Sequence, residues 1–139
     1  GPIQCTTDYR ELLANPDVDA VYCAVPHVLH EQIYPQILAA GKHLFGEKPF
    51  GMDLAQNRAI MAAVAAHPEL VVRCSSEMPF YPGAQKVIEF VKSGAVGDIL
   101  EVEAAFLHSS DINPDKVINW KRMQAVNASP SASQTVNDA

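Results

Sequence analysis

A short apolar strand runs directly into a lysine and a proline in the stretch His43-Leu44-Phe45-Gly46-Glu47-Lys48-Pro49-Phe50-Gly51. Pro49 fixes its own φ and disfavours the helical region for Lys48, the residue before it. We therefore expect the Lys48 ammonium to project in a defined direction from the carboxyl end of a strand. In open α/β sheets, ligands bind at that edge.

Strands are also predicted before and after this stretch. Ala20–Val25 is a continuous apolar run, which is typical of a strand buried on both faces, with Tyr22 and Cys23 in the core. Leu70–Cys74 is a third apolar run of similar length. Together with His43–Phe45 these runs predict three short strands of one sheet.

Helices are predicted between and around the three strands. Asp8 with Glu11, and Asp53 with Gln56, have the spacing of a capping box, and Gly41 suits the left-handed position after a helix. Strands that alternate with helices indicate βαβ units and a parallel sheet with right-handed crossovers. The predicted helices are Tyr9–Ala14, Val28–Ala40, Leu54–Ala66 and Pro82 to about Ser93.

A second domain is predicted to begin near residue 80. Ile99–His108 alternates apolar and polar residues, which is typical of a half-exposed strand in an antiparallel sheet. We therefore expect one domain over residues 1–79 and the start of another over residues 80–123. Residues 124–139 contain no aromatic residue, lysine or arginine, and we expect them to be a disordered tail.

Composition and charge exclude several classes of partner. The chain has 10 basic and 16 acidic residues, a net charge of −6, and no basic cluster, which argues against nucleic acid. No apolar run approaches the roughly 18 to 20 residues that span a bilayer, so we expect no membrane partner. The three widely spaced cysteines, Cys5, Cys23 and Cys74, favour a reducing compartment, the cytoplasm.

Five local signatures occur in a characteristic order along the chain. They are Ala24-Val25-Pro26-His27-Val28-Leu29-His30, Ala39-Ala40-Gly41-Lys42-His43, Glu47-Lys48-Pro49, Ser75-Ser76-Glu77-Met78-Pro79-Phe80 and Gly94-Ala95-Val96-Gly97-Asp98-Ile99. In this combination the sequence resembles the glucose-fructose oxidoreductase, inositol dehydrogenase and MocA-type family (Gfo/Idh/MocA) over roughly residues 6 to 123.

The resemblance implies an α/β fold, the C-terminal half of a Rossmann-type parallel sheet followed by the start of an α+β domain with an antiparallel sheet. It also implies an NAD- or NADP-dependent oxidoreductase that acts on a sugar, polyol or related hydroxyl compound. Lys48 would be the catalytic or substrate-orienting cation. The residues that would line the cofactor site are Pro26, His27, His30, Glu47, Lys48 and Pro49.

The residue types at these positions are compatible with oxidoreductase chemistry, but each of them also has a simpler structural interpretation. A lysine ammonium can stabilise the charge that develops on a carbinol oxygen during hydride transfer, or take part in the proton transfer, but Lys48 could also be a solvated turn residue. Glu47 could be the ion-pair partner of Lys48 or could cap the next helix. His27 and His30 have the i, i+3 spacing of a metal pair, although we expect no metal and favour His30 as a histidine that donates to backbone.

Further downstream, the acid-base candidates lack a supporting motif. His108 and Asp111 stand alone, and Trp120 beside Lys121 and Arg122 is better explained by packing than by substrate contact.

A Gly-rich phosphate turn is missing from the chain. The seven glycines, at positions 1, 41, 46, 51, 83, 94 and 97, do not form a GxGxxG pattern. The resemblance also implies a downstream Asp and His acid-base pair, which would lie beyond residue 123 and is absent here. We therefore expect a chain truncated at both ends relative to the family, in which cofactor binding and activity in isolation are doubtful. We also expect the strand at residues 20–25 to have an open edge and to drive homo-oligomer formation. A non-catalytic self-associating α/β module and a small-ligand binding remnant are the alternatives.

Overall fold

The computed structural model describes residues 4–105, 107, 115 and 117 of the chain. The described residues fall into two compact units, which divide between Ser75 and Ser76, close to the predicted domain boundary at residue 79. The first unit is a parallel α/β layer, and the second contains one regular helix. The predicted disordered tail at residues 124–139 lies outside the described residues.

The first unit contains a three-stranded parallel sheet. Its strands are β1 (Ala20–Cys23), β2 (His43–Glu47) and β3 (Val72–Ser75), in the order β1-β2-β3. Both strand pairs are parallel. The predicted α/β class with a parallel sheet is therefore confirmed.

The described residues contain four α-helices, three in the first unit and one in the second, and their bounds are close to the predicted ones. The helix predicted from Val28 starts as a 3₁₀ turn at His27–Leu29 and becomes α-helical only at His30. Gly41 has a φ of 72°, the left-handed conformation that was predicted for the end of this helix. The helices are α1 (Tyr9–Ala14), α2 (His30–Ala39), α3 (Leu54–Ala66) and α4 (Pro82–Lys92).

In both predicted capping boxes the aspartate caps its helix, whereas the partner side chain binds a residue that precedes the cap. The Asp53 carboxylate accepts a hydrogen bond of 2.9 Å from the Gln56 N–H, and the Gln56 side chain accepts one of 2.8 Å from the Met52 N–H. At α1, Asp8 caps the helix, but the Glu11 carboxylate accepts from the Thr6 hydroxyl at 2.6 Å instead of reaching back to the cap. Local side-chain bonds thus define where both helices begin.

The core of the first unit lies between one face of the sheet and helices α2 and α3. Val21, Leu44 and Val72 occupy aligned positions on the three strands and belong to this core. The helices contribute most of the fully buried apolar side chains. They are Tyr34, Ile37 and Leu38 from α2 and Ile60 from α3.

The opposite face of the sheet is exposed in the part of the chain that the structure describes. The Tyr22 side chain is 57% exposed and the Phe45 side chain 47% exposed, and their ring centroids lie 5.3 Å apart. The prediction of a first strand buried on both faces, with Tyr22 in the core, is therefore wrong. Cys23, only 5% exposed, is in the core as predicted. Successive side chains of a strand point to opposite faces of the sheet, so helices that cover one face bury only every second residue.

The strand bounds also differ from those predicted. β1 ends at Cys23 instead of Val25, and β3 begins at Val72 instead of Leu70. β2 continues past Phe45 through Gly46 and Glu47, because β3 provides hydrogen-bonding partners up to the pair Glu47 and Ser75. Glu47 is thereby a strand residue, which determines what its side chain can reach.

The second unit begins with a 3₁₀ turn at Met78–Phe80 and continues into α4. Residues 99–105 form no strand, so the antiparallel strand predicted from Ile99 is wrong over that range, and Leu100 is 95% exposed. A strand needs a hydrogen-bonded neighbour, and the described residues of this unit provide none. Four residues named in the sequence analysis lie outside the described residues. They are Phe106 and His108 of the predicted strand, and Asp111 and Trp120.

Candidate active site

Three chain segments reach the same edge of the sheet because the strands are parallel. Cys23, Gly46 and Cys74 are register partners, and Glu47 pairs with Ser75 one position further along. The turn that contains Pro26 and His27 follows β1, and Lys48 follows β2. The carboxyl ends of the three strands and the motifs after β1 and β2 therefore lie at one edge of the sheet, the edge at which ligands bind in open α/β sheets.

Lys48 is exposed at this edge, directly after the central strand. Among the described residues, its ammonium makes no hydrogen bond or ion pair. The peptide bond from Lys48 to Pro49 is cis. Since no described residue holds the ammonium, its N–H donors are available to a ligand.

The turn after Pro49 is attached to helix α3. The Asn57 amide donates a hydrogen bond of 2.9 Å to the Phe50 carbonyl. Gly51 has a φ of 96°, and a Cβ at this position would lie 2.7 Å from the Asn57 backbone nitrogen. Only glycine permits both this backbone conformation and this close approach. The backbone on the far side of Lys48 is thus anchored while the lysine side chain is exposed.

His30 lies beneath the site and joins two of its segments. The ring is fully buried; Nδ1 is 2.7 Å from the Pro49 carbonyl oxygen and Nε2 is 3.0 Å from that of Val25. The predicted histidine that donates to backbone is confirmed. Because a carbonyl faces each ring nitrogen, His30 has no nitrogen left for a metal, and the metal-pair alternative for His27 and His30 is not supported.

His27 is half-buried in the turn after Pro26. Its ring centroid lies 5.5 Å from that of His30. The pKa of His27 lies below its usual value, mainly because of desolvation and also because of His30 and the Lys48 ammonium, with Glu47 acting in the opposite direction. The His27 imidazole is therefore neutral at neutral pH.

The Glu47 carboxylate is held by side chains from both neighbouring strands. Its Oε1 atom accepts hydrogen bonds from the Tyr22 hydroxyl at 2.5 Å and the Ser75 hydroxyl at 3.1 Å. These bonds lower the pKa of Glu47, the Tyr22 hydroxyl most strongly, with a smaller contribution from the Lys48 backbone and side chain. The carboxylate is therefore ionised at neutral pH.

Neither predicted role of Glu47 is observed. Glu47 makes no ion pair with Lys48 within the described ranges, and the cap of α3 is Asp53. Sequence reasoning also missed Tyr22 and Ser75 as partners of Glu47. No sequence signal identifies them, because it is the register of the strands in the folded structure that brings these positions to one face near the carboxyl edge.

Two thiols flank this region without being activated. Burial raises the pKa of Cys23, and partial desolvation together with the Glu47 carboxylate raises the pKa of Cys74. Neither cysteine is therefore a thiolate nucleophile at neutral pH. No group of three or more metal-ligating side chains occurs in the portion of the chain that the structure describes.

A parallel α/β layer with a lysine, a histidine and a fixed carboxylate at its carboxyl edge defines a Rossmann-type domain with a candidate ligand site. The chain belongs to the Gfo/Idh/MocA oxidoreductase family with an NAD-binding Rossmann fold, whose model matches residues 2–74. The predicted family and the Rossmann-type fold are thereby confirmed.

Curated relatives of this family are similar over most of the chain. An uncharacterized oxidoreductase, YrbE, from Bacillus subtilis is 34% identical over 92 residues, which are 66% of this chain and 27% of YrbE. Levoglucosan dehydrogenase from Pseudarthrobacter phenanthrenivorans is 26% identical over 121 residues, 87% of this chain and 31% of the relative. The chain therefore spans about a third or less of their length.

Solved structures show the same fold. Scyllo-inositol dehydrogenase from Lactobacillus casei, with bound NAD(H) and scyllo-inositol, superposes with a TM-score of 0.60 at 30% identity, covering 66% of this chain and 27% of the other. Levoglucosan dehydrogenase in complex with NADH has a TM-score of 0.82 at 24% identity over 88% of this chain and 32% of the other. NAD(P) as the cofactor of the family is thus confirmed.

Within the described residues, no helix is long and apolar enough to cross a membrane.

Proposed function

We propose that the first unit provides the nicotinamide side of an NAD(P)-dependent oxidoreductase that acts on a sugar, polyol or related hydroxyl compound. The position of Lys48 is the observation that carries this proposal. Its exposed ammonium follows the central strand, between Glu47 and Pro49, in a chain of this oxidoreductase family. Relatives named levoglucosan dehydrogenase and scyllo-inositol dehydrogenase support the class of substrate.

The chemistry assigned to Lys48 is electrostatic. A bound nicotinamide would supply the hydride acceptor or donor. When a carbinol is oxidised, its carbon loses a hydride and its hydroxyl loses a proton, so negative charge develops on the oxygen. Lys48 donates a hydrogen bond to that oxygen in our proposal, and stabilises the charge as it develops.

The other predicted site residues would surround the cofactor in different ways. His27 and Pro26 are partly accessible in the turn after β1, at the same edge of the sheet as Lys48. His30 is fully buried, so its contribution is to hold the carbonyls of Val25 and Pro49 in place. These residues fit the nicotinamide end of a cofactor. A Gly-rich turn for the pyrophosphate is absent from the sequence.

We also propose that the isolated 139-residue chain does not catalyse the reaction. The absent GxGxxG pattern supports this, because the pyrophosphate contributes much of the binding of a dinucleotide through that turn. The test is to titrate NADH and NADPH by fluorescence and to assay turnover of scyllo-inositol with NAD and NADP. We expect dissociation constants above about 100 μM, which corresponds to roughly 5.5 kcal/mol, and no turnover. Tighter binding of NADH or NADPH, or turnover above the protein-free rate, would overturn the proposal that the isolated chain is inactive.

The proposed role of Lys48 is tested by mapping weak binding on the chain. We expect millimolar NADH to shift NMR signals of His27, Glu47 and Lys48, and the Lys48→Met variant to lose most of that response. Lys92→Met is the matched control, because it removes an exposed lysine at the end of α4. Shifts confined to other residues would contradict the site, and binding without any effect of Lys48→Met would favour the small-ligand binding remnant.

A second candidate is a self-associating module. Among the described strands, β1 is hydrogen-bonded on one side only, and the neighbouring Tyr22 and Phe45 rings are half exposed. Unpaired strand edges pair readily with other chains, and an added charge on the edge opposes this. We expect sedimentation velocity to show a dimer or larger species that Ala20→Lys shifts towards monomer. A stable wild-type monomer at micromolar concentration would exclude this candidate.

A reducing, cytoplasmic location stays a prediction. It is supported by the three cysteines, which are all free, with Cys5 and Cys74 exposed and Cys23 buried. Exposed free thiols persist where disulfide formation is suppressed.

A further inference from the structure

One carboxylate oxygen connects all three strands at the carboxyl edge of the sheet. Glu47 Oε1, on the central strand β2, accepts from Tyr22 on β1 and from Ser75 on β3. Ser75 is the register partner of Glu47, whereas Tyr22 pairs with Phe45 and reaches Glu47 along the exposed face. Two donors from opposite sides therefore restrict the direction of the carboxylate.

This arrangement is not explained by core packing. Tyr22 is more than half exposed, and its ring contacts the Phe45 ring, which is also exposed. A tyrosine in this position gains little from burial, and its hydroxyl is directed at a charged group. Charge-assisted hydrogen bonds are shorter and stronger than neutral ones, and the 2.5 Å separation from Glu47 fits that class.

We propose that Tyr22 and Ser75 are positioning residues of the candidate site, whose hydroxyls hold the Glu47 carboxylate in one orientation next to Lys48. This inference rests on the proposed function, because it assumes that the substrate reaches Lys48. Glu47 is then a fixed acceptor beside a lysine with free donors. Such a pair suits a vicinal diol, in which one hydroxyl donates to the carboxylate and the neighbouring oxygen accepts from the ammonium.

The protonation states agree with these roles. The Glu47 carboxylate raises the pKa of Tyr22, chiefly through the hydrogen bond that they share. The same bond lowers the pKa of Glu47. Tyr22 is thus protonated and Glu47 ionised at neutral pH, so the direction of donation is from tyrosine to carboxylate.

The inference is tested first without any ligand, by following the ¹³C carboxyl signal of Glu47 in the full chain as the pH is varied. Tyr22→Phe and Ser75→Ala should each shift the titration midpoint of Glu47 upwards, because each removes one donor to the ionised form. Ser75→Thr retains the hydroxyl donor and should keep the titration midpoint of Glu47 at its wild-type value. Phe45→Leu is the control, since it changes the same face without removing a donor. Midpoints that stay unchanged in both donor variants would overturn the inference.

Urea unfolding of each variant shows whether the fold is retained. Tyr22→Phe removes only an oxygen from an exposed ring, and Ser75→Ala is an independent second variant. If one of them fails to fold, the other decides the outcome through the Glu47 midpoint.

Binding measurements then separate this inference from the proposed function. With NADH present, we expect scyllo-inositol, which carries adjacent hydroxyls, to bind about threefold to tenfold more weakly to Tyr22→Phe than to the wild type, the loss expected for one hydrogen bond. Cyclohexanol, with a single hydroxyl, should be unaffected. If scyllo-inositol does not bind the wild type, the proposed function fails. The Glu47 titration then still shows whether Tyr22 and Ser75 position the carboxylate. If it binds both proteins equally, the diol-binding role is overturned.

Discussion

His30 Nδ1 lies 2.7 Å from the carbonyl oxygen of Pro49, nineteen positions further along the chain. The other ring nitrogen faces the Val25 carbonyl, so one buried side chain joins the segment after β1 to the segment after β2. A neutral imidazole donates from one nitrogen only, whereas an imidazolium donates from both. The ring also stacks on Tyr34, with centroids 4.5 Å apart.

Replacement of His30 by leucine should therefore destabilise the chain. The substitution removes the buried ring that donates between the Pro49 and Val25 carbonyls, at a cost of about 1–3 kcal/mol in the free energy of unfolding. Urea unfolding followed by circular dichroism measures this loss. His67→Gln, at a partly exposed histidine, should change the free energy by less than about 0.5 kcal/mol. An equally small effect of His30→Leu would show that the two carbonyls do not depend on this ring.

Gly46→Ala should also be destabilising, for a steric reason. A Cβ at Gly46 would lie 2.8 Å from Cζ of Tyr34, a fully buried ring whose hydroxyl donates to the Glu47 carbonyl at 2.7 Å. Overpacking of this kind costs about 1–3 kcal/mol in the free energy of unfolding. Gly83→Ala is the matched control, because nothing lies within 4 Å of its Cβ position. Equal unfolding midpoints for both variants in urea would contradict the close packing.

The cap of helix α3 should contribute measurably to the free energy of unfolding. Asp53→Ala removes the acceptor for the Gln56 N–H and should cost about 1 kcal/mol in the free energy of unfolding. Asp53→Asn retains a capping oxygen and should remain close to the wild type in the same chemical denaturation. A loss in the asparagine variant as large as in the alanine variant would point to the charge of Asp53 instead of the cap.

Acidic pH should weaken the fold through two groups. The pKa of His27 is lowered from 6.5, mainly by desolvation, so below that pH the unfolded chain takes up a proton more readily and stability declines. The pKa of Glu47 is lowered from 4.5, mainly by the Tyr22 hydroxyl, so its contribution is present above that value and is lost as the pH falls through its folded pKa.

Urea unfolding at a series of pH values separates the two contributions. His27→Gln should flatten the decline that starts near pH 6.5, and Tyr22→Phe should flatten the part below about pH 4.5. Phe45→Leu should leave the slope of both parts unchanged. A decline that is identical in all four proteins would assign the acid sensitivity to other groups.

Most of the fold could be predicted from the sequence because local signals specify it. The Asp53 and Gln56 spacing places the start of α3, Gly41 ends the helix before β2, and the short apolar runs give three parallel strands. Ile99 shows the limit of such signals, since its alternating pattern predicts a strand while residues 99–105 form none. An alternating pattern describes a strand that could be half buried, but a partner strand is needed to form it.

The sequence by itself determined the family, the parallel α/β class and the position of Lys48 at the end of the central strand. These depend on local backbone preferences, on spacing and on apolar periodicity. Only the tertiary structure decided the partners of Glu47 and the two carbonyls that His30 joins. The positions of Tyr22 and Ser75 relative to Glu47 depend on strand order, on register and on which face the helices cover, and residues more than twenty positions apart carry no local signal of such contacts.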